Sequence, residues 1–348
     1  MFKNLFGPKT TTTIAFQRFR STSFRQTHRT GLYERASIHP IAKERISATK
    51  GFGSGAWLFA SPRPNHKFAS STHYLTAFRL QFGLEIEFIT NEMPCLPSCK
   101  LPSNRPDAPP HLPRGNSRRG QPAWRLGDHF LGCPAGAAAN GLRNITHRHD
   151  SIVRLLAKML NIVFLFSVQL NRRDNHTTPV NGECTDIVTQ RLSPPDAMPN
   201  MIDVTILTST SSSYTANSRS AAKVGISEFL QQHGDNMKRL KHAPNARAYG
   251  AEFTPFSLDV RGAFGPSAKS FWDSLWKPYI KAAPSRGEST WAAVAECRSW
   301  LQRFSILLAN ENAEIIQSKA GAFWKSHHDA RFAFIRRFPH HRPLFAAY

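Results

Sequence analysis

The chain has 348 residues, 41% of them apolar, enough for one large or two modest domains with a sizeable core. Lys and Arg number 45 against 23 Asp and Glu, a net charge of +22, and so much positive charge points to a polyanionic partner, because phosphate neutralisation releases condensed counterions. No run approaches the roughly 18 apolar residues that span a bilayer, no apolar signal segment stands near the start, and five cysteines in a chain this long are not a disulfide framework. The expectations are no membrane, a reducing compartment and thiolates free for metal.

In chain order, residues 1–53 read as a basic, Ser/Thr/Arg-rich arm without structure. Lys3, Lys9, Arg18, Arg20, Arg25 and Arg29 all precede the first acid, Glu34. That composition fits an arm lying on nucleic acid in the nucleus, with a mitochondrial presequence as the alternative. Residues 54–139 follow as a helical segment and a metal knot. Tyr74, Leu75, Phe78 and Phe82 fall at helical spacing, and Gly83 is a natural stop. Residues 100–123, rich in proline and arginine, form a solvated loop insertion. Its Arg118 and Arg119 are candidate phosphate contacts.

The third region, residues 140–280, is regular. Ile152, Leu155, Leu156 and Met159 make one helical face, with Asp150 or Ser151 suited to the N-cap. Residues 162–168 form a continuous apolar run that predicts a buried strand. Residues 186–189 and 201–207 predict two more strands, each carrying one aspartate, Asp186 and Asp203. Residues 216–242 predict helix interrupted at Gly225 and Gly234. Residues 252–258 predict an edge strand, since Pro255 donates no ladder hydrogen bond. Two helices, about 267–281 and 289–318, and a frayed basic tail close the chain, so residues 281–348 read as a C-terminal helical region. The fold class expected is α/β: a mixed sheet flanked by helices, behind a small zinc knuckle.

Two constellations carry chemistry. Cys95 and Cys99 with His129 and Cys133 supply four soft or borderline ligands, the number a structural tetrahedral zinc site needs. Asp186 and Asp203, on neighbouring predicted strands, repel unless a divalent cation lies between them. Magnesium held there activates water and steadies phosphate charge. Glu183 or Asp150 completes that shell. Lys238 and Lys241, one helical turn apart, are placed to orient the water or neutralise the scissile phosphate. Arg148 and His149 are further nucleic-acid contacts.

The order of these features resembles the C-terminal part of a non-LTR retrotransposon polyprotein that ends in a restriction-enzyme-like endonuclease. The residues that carry the likeness are Ala56-Trp57-Leu58, Arg79 to Leu84, the Cys95/Cys99 pair, Gly127-Asp128-His129 with Cys133, Arg148-His149-Asp150, Asp186-Ile187-Val188, Ile202 to Thr205 and Phe253 to Phe256. The resemblance implies a zinc knuckle and a PD-(D/E)xK fold that nicks DNA, with zinc on Cys95, Cys99, His129 and Cys133. It also implies magnesium at Asp186 and Asp203, with a lysine from the following helix. Thr185 replaces the family's proline and Thr205 its lysine, which moves the lysine role to Lys238 or Lys241. No Tyr/Phe-x-Asp-Asp polymerase motif occurs, so reverse transcription is excluded. The expected partner is DNA, with RNA second. The alternative is a zinc-stabilised remnant that binds nucleic acid without cutting it. The sequence does not fix an oligomeric state.

Overall fold

A computed structural model describes residues 51–60, 67–84, 86, 89, 130–131, 145–170, 185–191, 198–208 and 226–337. A 3-10 turn, Ala56–Phe59, leads to helix α1 (Ser71–Phe82) and then α2 (Ile145–Phe164). Strands β1 (Phe166–Leu170), β2 (Ile187–Arg191) and β3 (Asn200–Leu207) follow, then α3 (Ile226–Ala248) and β4 (Glu252–Asp259). Helices α4 (Pro266–Lys281) and α5 (Thr290–Arg337) end the described chain. The strands form one mixed sheet in the order β1-β2-β3-β4. Its first three strands are antiparallel neighbours, and β4 returns through α3 to lie parallel to β3. The fold is thus α/β, a four-stranded mixed sheet flanked by helices.

Strand alternation separates the two faces. Ile187, Ile202, Val204, Phe256 and Leu258 join α2, α4 and α5 in the main core, around Leu156, Trp272, Trp276 and Phe304. The intervening residues turn the other way, where Asp203 meets Lys238 and Ser257 donates to Asp235, both from α3. Gly234 does not break α3. A side chain there would press to 3.0 Å from Leu207 Cδ1, so glycine lets the helix lie close on β3. Pro255 lies on β4, which among the described strands is at the edge of the sheet, where a proline is tolerated.

Two boundaries correct the sequence reading. Helix α2 begins at Ile145, five residues before the expected cap, and it continues through Phe164. The apolar run at 162–166 therefore splits into helix and strand, because a short continuous run has no period to tell the two apart. Phe164 keeps the helical phase and packs edge-on against Trp276, with ring centres 5.0 Å apart. The chain turns at Leu165, which takes the left-handed conformation at φ 53° while mostly exposed. Leu165→Gly should raise stability by about 0.5–1 kcal/mol, the left-handed penalty of ~1–2 kcal/mol less glycine's greater loss of backbone freedom. A thermal melt beside wild type checks it, and an unchanged or lower Tm would refute it.

Helix α1 and α5 pack with the 3-10 turn into a second layer around Trp57, Ala77, Ile306 and Ala309. Ser70 caps α1 by accepting from the His73 N–H, and Gly83 ends it in the left-handed conformation. No described helix is long and apolar enough to cross a membrane.

Candidate functional site

The site is built where β2 begins, β3 passes its midpoint, and α2 and α3 approach from opposite faces. Ile187 pairs with Ile202 across the antiparallel ladder, so one step further the register sets Asp186 opposite Asp203. The Asp186 carboxylate reaches along β3 instead of lying flat on the sheet. Its Oδ2 accepts from the Val204 N–H at 2.7 Å. One carboxylate thus reaches the backbone of residue 204, and the other is borne by residue 203 beside it.

Each has a cation. Lys238 Nζ lies 2.8 Å from Asp203 Oδ2, with Asp203 nearly buried and the lysine one-third exposed. One turn on, His242 Nε2 stands 3.7 Å from Asp203 Oδ1, its ring tilted against Phe253. Spacing of i and i+4 puts Lys238 and His242 on the same face of α3. His242 escaped the sequence reading, and that spacing from Lys238 was the available signal. Lys241 is exposed on α3.

His149 serves Asp186 in the same way. Its Nε2 is 3.2 Å from Asp186 Oδ2 and 3.1 Å from the Val204 carbonyl, while Nδ1 is 3.1 Å from Asp150 Oδ1. Burial alone pushes the imidazole pKa down. The hydrogen bond and charge of Asp186, with Asp150 and the Val204 carbonyl, outweigh it and raise the pKa from 6.5 to about 9. A histidine whose pKa rises on folding stabilises the fold fully below its unfolded value, and this contribution is lost as pH climbs through the folded one. Wild type should therefore lose up to roughly 3 kcal/mol between pH 6.5 and 9 that His149→Gln does not lose. Urea midpoints across that range test it, and parallel curves for the two proteins would refute it.

Arg148, read from sequence as a phosphate contact, is inside the protein at 1% exposure. Its Nη1 donates to Asn312 Oδ1 at 2.8 Å and its Nη2 to the Leu131 carbonyl at 3.3 Å. Burial pushes its pKa down to about 10 while Asp259 and Glu311 pull it up, so it stays cationic at neutral pH. No phosphate reaches it there. Glu311 is further held by His147 at 2.8 Å and Ser151 at 3.1 Å. These bonds pin the first turn of α2 to α5, which explains why the helix starts before its expected cap.

Cys95, Cys99, His129 and Cys133 lie outside the described residues, as do Arg118, Arg119 and Glu183. Among the described residues, no group of three or more His, Cys, Asp and Glu is placed to hold a metal ion. Magnesium asks less: one or two carboxylates suffice, the remaining positions going to water and substrate oxygens. Asp186 and Asp203 fit that requirement in donor type, with His149 and Lys238 as their present partners. Compared with known protein families and with curated proteins, the chain matches none.

Proposed function

We propose that the chain is a retrotransposon-derived, metal-dependent DNA endonuclease with a restriction-enzyme-like core. The observation that carries this reading is the Lys238–Asp203 contact at 2.8 Å, made beside the point where Asp186 meets the Val204 N–H. Two strand aspartates and a lysine from the following helix are the set that the family resemblance implies. The net charge of +22 supplies the attraction to a DNA backbone.

In this reading Asp186 and Asp203 hold magnesium, which when bound supplies Lewis acidity and an activated water. Lys238 is the group that neutralises charge on the scissile phosphate. Asp203 sets its position, and the one-third exposure of Lys238 leaves it within reach of a substrate. His149 orients the Asp186 carboxylate through Nε2, and Asp150 fixes the ring through Nδ1. The zinc knuckle of Cys95, Cys99, His129 and Cys133 belongs to the same proposal as a structural clip.

A second reading rests on the same ion pairs. His149 and Lys238 already balance both carboxylates, which suits a remnant that binds nucleic acid by charge and does not cut it. Nicking by Lys238→Gln and Lys241→Gln separates the two. The nuclease reading expects Lys238→Gln to lose about 10²–10³-fold in rate, as for removal of one group that stabilises transition-state charge, with Lys241→Gln near wild type. Equal rates for the two variants would remove Lys238 from the site.

A further inference from the structure

On the core face of the sheet, the rows across the strands change character at the end where β3 and β4 begin. Ile187, Ile202 and Thr254 form one row by register. Two residues outward, the row is Thr189, Asn200 and Glu252. Asn200 Oδ1 is buried and has no hydrogen-bond partner among the described residues. That atom is sealed from the cleft, whereas the Glu252 carboxylate at the end of the same row is exposed and lines it, an acceptor within reach of a ligand.

Helix α4 faces this row. Ser267, Ser270 and Ser274, at i, i+3 and i+7, line the cleft with hydroxyls, and Phe271 and Leu275 lie on the same helical face. Phe166 of β1 lines it from the sheet side. Arg239 of α3, exposed, stands at its rim and donates through Nη2 to Ser267 Oγ at 2.9 Å. The cleft measures about 440 Å³, inside the ~300–1,000 Å³ range of small-ligand sites. It combines aromatic walls, hydroxyls, one guanidinium, and an exposed acceptor in the Glu252 carboxylate. A bare inorganic anion suits this set poorly, because Glu252 repels it. A ligand carrying a phosphate, a flat ring and an amino group uses all of it.

We propose that this cleft binds a nucleotide, with its phosphate at Arg239 and Ser267, its base against Phe166 and Phe271, and a base amino group donating to the Glu252 carboxylate. The site shares no residue with the Asp186–Asp203 site and does not depend on the nuclease reading. A free nucleotide and an unpaired nucleotide of a strand present the same chemistry.

Calorimetric titration of the full chain with dAMP, dCMP, dGMP, dTMP and inorganic phosphate tests it. At least one amino-bearing nucleotide should bind one to one. dTMP, which lacks an exocyclic amino group, and inorganic phosphate should each bind about tenfold more weakly, the loss of one well-made polar contact. Arg239→Gln, an exposed change that leaves the core alone, should weaken binding by about tenfold. Glu252→Ala, an exposed change that removes the acceptor, should abolish the preference over dTMP. The Asp186→Ala/Asp203→Ala double variant should bind as wild type does, so failure of the nuclease reading and failure of this one are told apart. Competition by a four-nucleotide single strand identifies a strand as the source, and its absence identifies the free nucleotide. No saturable binding by any mononucleotide, or binding indifferent to Arg239→Gln, overturns the proposal.

Discussion

Replacing Arg148 by methionine should lower the unfolding free energy by about 3–5 kcal/mol, the typical cost of removing one partner from a buried charge network. The guanidinium is fully enclosed and lies in the field of Asp259 and Glu311. Its loss leaves those carboxylates with less compensating charge, and takes a donor from Asn312 and another from the Leu131 carbonyl. Methionine fills much of the same volume, so the loss is electrostatic more than a cavity effect. Denaturant midpoints measure it. A shift under about 1 kcal/mol, in the range of an exposed ion pair, would contradict the buried placement. DNA retention adds a second readout. A phosphate-contacting arginine reduces the salt slope by about 1 when removed, whereas the folded fraction of Arg148→Met should keep the wild-type slope.

The second large effect is on activity. On the endonuclease reading, Asp203→Asn should reduce nicking by at least about a hundredfold, since the change removes the charge proposed to hold metal and weakens the ion pair that positions Lys238. Retarded migration of the DNA should persist, because overall charge is barely altered. Asparagine keeps the shape and accepts from Lys238 through its amide oxygen, so the fold is retained and the rate reports on chemistry. A variant that nicks at the wild-type rate would take Asp203 out of the mechanism.

The sheet was legible from sequence wherever a short apolar run is bounded by turn residues. Residues 186–189, 201–207 and 252–258 are each found within β2, β3 and β4 or at their ends. Composition told less at 162–166, where helix and strand use the same residues and the decision falls to the packing of Phe164 on Trp276 and Tyr279. The start of α2 was hidden for a related reason. His147 and Arg148 are tied to Glu311 and Asn312, each 164 residues away, and no local cap signal encodes such a contact. Gly234 shows the opposite failure, a residue with a strong local meaning whose purpose here is close approach to Leu207.

Within the candidate site, the residue types were legible and their partners were not. Two aspartates on neighbouring strands and a lysine on the next helix can be read from period and order. That His149 turns to Asp186, across 37 residues, depends on strand register and on the faces of two helices. The buried place of Arg148, one residue earlier, follows from the same helical phase: consecutive side chains point about 100° apart, so one meets the sheet and the other the core.

The most direct test is nicking of supercoiled plasmid by the purified full chain, with magnesium and with chelator, beside the Asp186→Ala/Asp203→Ala double variant. The endonuclease account predicts relaxed plasmid with wild type and magnesium, and neither without the metal nor with the double variant. Plasmid that stays supercoiled while being retarded on a gel would contradict it, and would leave the charge-driven binding remnant as the function of this chain.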